Sequence, residues 1–334
     1  MMTEPLLSLL NVLLAAAISA CIIHVSRPLL LRHALARPNA RSSHKIPTPQ
    51  GAGIAVIAAT LLVASIWAGL AHVVLPWALV AATLFIALVG LADDIKSIPV
   101  PPRLLLQAAA IGAIVFTAPE QFRIVPSCPL LLERGLLLIA GLWFVNLVNF
   151  MDGLDLMTVA EVVPITAALV LLGWIGEYPA SAGIIAAALC GAMLGFAPFN
   201  RPVAKVFLGD VGSLPIGLLL GWCLLELAWH GHLLAASLLP LYYVTDATIT
   251  LVRRIAKREP FWTAHRTHFY QRATDNGYTV ARVVGEVVVL NIVLAALAFA
   301  SARIGTTSID LLAALAGAAS VAIVLYRFAR QRNR

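Results

Sequence analysis

Charge is the scarcest commodity in this sequence. Only 12% of its 334 residues are Asp, Glu, Lys or Arg, while 61% are apolar; a soluble chain carries about a quarter charged residues. That excludes a single water-soluble core, because no packing of one buries so much apolar surface, and the bilayer must be the solvent for most of the chain. Polar loops are short, so residues 1–334 read as one integral membrane domain. Cysteine is scarce as well. Of Cys21, Cys128, Cys190 and Cys223, three lie within apolar runs and no two have metal-ligand spacing, which excludes a disulfide framework or a zinc ribbon. No Lys or Arg precedes the first apolar run, Pro5 to His24, and basic residues follow it. A signal peptide has the opposite order, so the run is expected to span the membrane even though Ile18-Ser19-Ala20-Cys21 resembles a lipoprotein cleavage box. The net charge of +7 comes with no nucleic-acid motif; it sits between apolar runs, where it sets topology and meets anionic lipid or substrate.

A spanning helix needs about 20 mainly apolar residues. Candidate spans begin near residues 5, 52, 76, 104, 135, 157, 181, 212, 233, 283 and 309. The expected fold is all-α and polytopic, with about eleven transmembrane helices. Of the 23 Lys and Arg, only Arg123, Arg134 and Arg303 fall in segments on the face opposite the rest. The positive-inside rule then predicts a periplasmic N-terminus and a cytoplasmic C-terminus. Two inside loops, about 26–50 and 254–282, are long enough for chemistry. No internal repeat is evident.

Acids beside apolar spans are costly and usually functional. Here Asp93, Asp94, Asp152, Asp155, Asp210 and Asp246 all fall at expected inner ends. The Asp93-Asp94 pair repels itself unless a cation or proton compensates, and Mg²⁺ is held by a few carboxylates together with substrate phosphates; a solvated stop-transfer pair is the plainer alternative. Asn146, Asn149 and Asp152 recur every three residues, so they share a helix face before Gly153 breaks the helix. Helix–helix hydrogen bonding would account for one Asn, not for two Asn followed by Asp152 and Asp155. In Lys205-Val-Phe-Leu-Gly209-Asp210-Val-Gly212-Ser213 a glycine turn precedes a helix, which suits backbone amides facing phosphate; no Gly-Lys-Ser/Thr of a Walker loop is present. His265 and His268, in His-Arg266-Thr-His, are spaced to share a helix face within a basic loop. Arg41-Ser42-Ser43-His44-Lys45-Ile-Pro47-Thr-Pro-Gln-Gly51-Ala-Gly53 reads as rigid, phosphate-friendly backbone entering the second span. Together these groups suit Mg²⁺-dependent transfer at a phosphate or diphosphate. A transporter is the competing class, but its carboxylates belong at mid-membrane, at broken helices.

Pro47-Thr-Pro-Gln-Gly-Ala-Gly53, Asp93-Asp94, Asn146-x-x-Asn149-x-x-Asp152-Gly-x-Asp155, Phe207-Leu-Gly-Asp-Val-Gly-Ser213 and His265-x-x-His268 resemble, in order, the motifs of the polyprenyl-phosphate N-acetylhexosamine-1-phosphate transferases. The resemblance covers about residues 26–285. Arg41-Ser-Ser-His44 and His265-Arg-Thr-His-Phe-Tyr-Gln271 look most like the branch that starts O-antigen, and so lipopolysaccharide, or related surface glycans. It implies a bacterial inner-membrane enzyme joining a UDP-N-acetyl sugar to undecaprenyl phosphate, with release of UMP and with Mg²⁺, or Mn²⁺ in its place, as cofactor. A homodimer is compatible with it. Asp93, Asp94, Asp210, His265 and His268 match the catalytic positions, with Asp210 the principal metal ligand and Asp152 the second. Lys45, Asn149, Asp152, Asp155, Asn200, Phe207, Gly209 and Arg266 match substrate-binding positions, Phe207 stacking on uracil. Two departures stand out. Ser97 replaces a third carboxylate of the acidic motif. His-Arg-Thr-His replaces the triple His of the peptidoglycan-precursor transferases, so a MurNAc-pentapeptide donor is not expected.

Overall fold

The structure, a computed structural model, describes residues 4–36, 47–259 and 265–331. It is all-α and polytopic. Ten helices among the described residues are long and apolar enough to cross a membrane. These are α1 (Glu4–His33), α2 (Gly53–Leu70), α3 (Trp77–Ile95), α4 (Val100–Thr117), α5 (Leu130–Met151), α6 (Met157–Trp174), α7 (Ala180–Phe196, continued by a 3-10 turn, Ala197–Phe199), α8 (Asp210–Trp229), α12 (Val280–Ile304) and α13 (Thr307–Ala329). The span expected near residue 233 takes a different form. It is two shorter helices, α9 (Leu233–Leu238) and α10 (Leu241–Ala256), meeting at Pro240. Proline has no amide to continue the ladder, and its ring clashes with the preceding turn. Beyond the break, Tyr242, Asp246, Thr250 and Arg254 recur every four positions and turn inward together. A seven-residue helix, α11 (Phe269–Asp275), follows.

α8 is the axis of the bundle. Its membrane span is 89% buried, against 22% for α1 and α13, and it packs on α2, α3, α5, α6, α7 and α9. Glycine is what lets three helix ends meet there. A Cβ on Gly53 would strike the Cα of Gly212, and one on Gly90 would strike the backbone of Asp210 and Val211. Backbone runs against backbone at both crossings.

The one non-helical feature among the described residues is a small ribbon. β1 (Leu35–Ala36) pairs antiparallel with β2 (Thr48–Pro49), Leu35 opposite Pro49. Gln50 then bridges in parallel to Phe207. Phe207 N–H donates to Pro49 (2.8 Å), while Gly51 and Ala52 donate to the Phe207 carbonyl and Gly53 to that of Leu208 (3.0 Å). The entrance of α2 is thereby zipped to the approach of α8.

Candidate active site at the head of the central helix

Asp93 and Asp94 sit in the last turn of α3, and Asp210 is the first residue of α8. The two neighbouring acids do different things. Asp94 is consumed by the fold: Oδ1 accepts from Asp210 N–H (2.9 Å) and Oδ2 from Val211 N–H (3.0 Å), and Gln50 Nε2 donates to Oδ1 at 2.5 Å. Its charge sits on the positive end of α8, which a carboxylate stabilises. Gly209, at φ 74°, makes room for it, since a Cβ there would lie 2.5 Å from Asp94 Oδ2. The sequence placed a phosphate at these amides; the structure gives the α8 N-terminus an anion of its own.

Asp93 is held differently. Its Oδ1 accepts from Ile98 N–H at 2.5 Å, and its Oδ2 pairs with Arg103 Nη1 at 2.9 Å. The same guanidinium lies 4.0 Å from Asp210 Oδ2. The carboxyls of Asp93 and Asp210 are within hydrogen-bonding reach of each other. Asn149, from the last turn of α5, donates to Asp210 Oδ1 and reaches Ser213 Oγ, both at 2.9 Å. Two carboxylates thus face one another with one guanidinium beside them.

The expected polar stripe on α5 divides. Asn146 turns to α4, where it donates to Gln107 Oε1 at 2.6 Å, an ordinary helix–helix bond. Asn149 alone reaches Asp210. Asp152 lies just past the end of α5, where its carboxylate accepts from the Thr158 hydroxyl. Burial pushes its pKa up to about 6, with Asp155 and Asp94 adding to the rise and the Thr158 bond opposing it. Gly153 approaches a side chain of the protein itself: a Cβ there would strike the Tyr270 hydroxyl. Asp155 accepts from Ala204 N–H (3.1 Å). Asn200 is buried, accepting from Leu156 N–H (2.7 Å) and donating to the Val206 carbonyl (3.0 Å). Asp155 and Asn200 therefore staple the loop after α5 to the loop before α8. Phe207 is half-buried beside them.

His265 and His268 do not share a helix face, because α11 begins only at Phe269. Asp246 sets that start, accepting from Phe269 N–H (3.0 Å) and Tyr270 N–H (3.2 Å). It is fully buried. Its Oδ1 lies 3.4 Å from His268 Nδ1, and the rings of His265 and His268 stack at 5.0 Å. Tyr270 donates to the Phe150 carbonyl (3.0 Å), docking α11 on the end of α5. Arg266 is engaged locally, with Thr274 (2.9 Å) and Asp275 (3.2 Å). Lys45, with Arg41, Ser42, Ser43 and His44, lies outside the described residues.

Among the described residues no three His, Cys, Asp or Glu side chains converge as a ready-made metal centre. Asp210 has Asp93, Asp94 and Asn149 as neighbours, while Asp152 has Thr158, Asp155 and Asp94. The facing Asp93 and Asp210 carboxyls are hard oxygen donors short of positive charge. They fit Mg²⁺, which takes one or two protein carboxylates and completes its shell with substrate oxygens.

Sequence reasoning missed Arg103 and Gln50. Arg103 entered only as a topology-setting charge, yet it lies on the first turn of α4, ten residues from Asp93. One turn deeper than the Asn149–Ser213 bond, an apolar cavity of about 290 Å³ opens between α4, α5, α8 and α9, lined by Val145, Gly217 and Gly221 near the site and by Pro240 at the α9–α10 break.

Fold and site together define a polytopic membrane protein with an acidic centre at the head of its innermost helix. Comparison with known proteins adds the chemistry of its relatives: residues 76–228 match the family model of glycosyl transferase family 4. The phospho-N-acetylmuramoyl-pentapeptide-transferase of Wolbachia pipientis wMel is 30% identical over 207 residues, covering 55% of this chain and 61% of the relative. That of Aliarcobacter butzleri (strain RM4018) is 30% identical over 219 residues, covering 55% and 62%. That of Francisella philomiragia is 29% identical over 225 residues, covering 55% and 61%. The match thus spans about three-fifths of the relatives' length, and these relatives carry the name of the pentapeptide branch rather than of the O-antigen-initiating one. The chain is similar to phospho-sugar transferases.

Proposed function

We propose that this protein transfers an N-acetylhexosamine-1-phosphate from a UDP-sugar to a polyprenyl phosphate such as undecaprenyl phosphate. The observation that carries the reading is the convergence of Asp93, Asp210, Asn149 and Arg103 directly above an apolar cavity. An oxygen of the lipid phosphate attacks the sugar-bearing phosphorus of the donor. A new P–O bond forms, the P–O bond to UMP breaks, and UMP leaves. Direct attack is preferred, because a lipid phosphate is already ionised near neutral pH and needs little activation. Bound Mg²⁺ would neutralise the diphosphate. Asn149 fixes the Asp210 carboxylate, Arg103 offers positive charge between Asp93 and Asp210, and Asp246 starts α11 beside His268. The cavity gives the first part of the polyprenyl tail an apolar berth that begins one helix turn below Asn149 and Ser213. By the positive-inside rule, this face is cytoplasmic, with the N-terminus outside.

The test is UMP release by the purified protein with undecaprenyl phosphate, Mg²⁺ and a panel of donors. UDP-GlcNAc, UDP-GalNAc and their 6-deoxy analogues are the expected substrates, and Asp210→Asn should abolish turnover. Full activity of purified Asp210→Asn would remove the metal assignment. The relatives' name supports a second reading, a UDP-MurNAc-pentapeptide donor, and turnover confined to that member of the panel would establish it over the first.

A further inference from the structure

A second concave site lies apart from the acidic centre. α1 is 30 residues long, about 45 Å at 1.5 Å per residue, whereas about 20 residues cross the hydrocarbon. Its last third, from about His24, therefore emerges at headgroup level. This is the same face as Asp210, because Gln50 N–H donates to the Ala34 carbonyl just beyond α1 and Phe207 pairs with Pro49. There, α1 and the loop after α7 enclose a cavity of about 340 Å³ lined by His24, Arg27, Pro28, Leu31, Phe199 and Lys205. Lys205 N–H donates to the Phe199 carbonyl at 2.8 Å, so the loop wall is closed on itself.

Three of the six lining side chains are basic and none is acidic. Arg27 Nε is buried without a hydrogen-bond partner, and a buried donor left unpaired costs its full desolvation. On either side of Arg27, Val25 is 71% exposed and Leu29 is 61% exposed, leaving apolar surface open beside the cavity. A basic hollow at headgroup depth, flanked by exposed apolar residues, has the chemistry of a phosphate carried on an acyl lipid. We infer that this cavity binds the headgroup phosphate of an anionic phospholipid of the bulk membrane, with Arg27 and Lys205 on the phosphate and Leu31 and Phe199 against its chains. It is not the berth of the acceptor, because α1 and the 199–205 loop contribute nothing to the cavity between α4, α5, α8 and α9.

The experiment is thermal unfolding of the full-length protein in neutral detergent, titrated with phosphatidylglycerol, phosphatidylcholine, undecaprenyl phosphate or inorganic phosphate. Phosphatidylglycerol should raise the wild-type midpoint while phosphatidylcholine and inorganic phosphate leave it unchanged. In Arg27→Gln/Lys205→Gln the phosphatidylglycerol needed for half the rise should increase about 30-fold, because the phosphate then has neither cation to pair with. Equal midpoints of variant and wild type in phosphatidylcholine certify the fold. If the double variant does not fold, the exposed Lys205→Gln alone should show about a fivefold increase. An unchanged phosphatidylglycerol dependence in a folded variant overturns the site. An equal rise with inorganic phosphate makes it a free-anion site instead, and displacement of phosphatidylglycerol by equimolar undecaprenyl phosphate makes it an acceptor site.

Discussion

The crossing of α3 and α8 at Gly90 offers the sharpest test of how the acidic centre is built. In Gly90→Ala the new Cβ would stand 2.5 Å from the carbonyl carbon of Asp210 and 2.7 Å from the amide nitrogen of Val211. Carbon atoms rest about 3.5 Å or more apart, so the two helices must part by about 1 Å. Both obstacles are backbone, and no rotamer change relieves them. The same 1 Å falls on the bonds from Asp210 and Val211 amides to Asp94, now 2.9 and 3.0 Å, and on the Arg103 contact to Asp210. Overpacking of this kind costs about 1–3 kcal/mol of stability, and a misplacement of about 1 Å at reacting groups costs about a hundredfold in rate. The assay pairs kcat for UMP release with the unfolding midpoint, using Gly69→Ala as the control, since a Cβ on Gly69 meets nothing within 4 Å. A Gly90→Ala protein with the activity and midpoint of Gly69→Ala would refute the claim that this crossing sets the site.

The divided α5 stripe predicts that Asn149→Leu lowers kcat about a hundredfold. Asn146→Leu should lower the unfolding midpoint and leave kcat near the wild-type value, which steady-state kinetics on both would check. Arg103→Gln removes the guanidinium between Asp93 and Asp210, so kcat should fall by about two orders of magnitude; Arg103→Lys should recover part of the loss, since it keeps the charge but not the planar fork. Asp152 is pushed up to about 6 by burial, so its favourable contribution is complete below the unfolded value near 3.8 and fades as pH rises through 6. Unfolding midpoints of wild type and Asp152→Asn, measured from pH 4 to 8, should therefore diverge with rising pH, the variant gaining on the wild type; parallel curves would remove the assignment.

What could be read from the sequence followed from its strongest physical constraint. Charge too sparse for water made the spans visible, and acids gathered at one set of span ends pointed to that face; the structure brings Asp93 and Asp210 together there, with Asn149 of the α5 stripe beside them. Pro240, which divides α9 from α10, lies inside an apolar run long enough to read as one span. Other roles were set by contacts no local pattern encodes. Asp94 caps a helix whose first residue lies 116 positions away, so nothing beside it separates its role from that of Asp93. Asn200 and Asp155 stand in motifs that suit nucleotide binding, yet their side chains hold loops together. His265 and His268 have helical spacing, but Asp246 starts α11 at Phe269, after both of them.

The near-complete burial of α8 also bears on how the chain is made. Five of its partners, α2, α3, α5, α6 and α7, are synthesised before it, and only α9 follows. A helix that begins with Asp210 and carries Glu226 is poorly suited to lipid on its own. When α8 leaves the ribosome, however, five of the six helices that will surround it already exist. The order of elements along the chain thus lets its least lipid-compatible segment enter a slot made of protein.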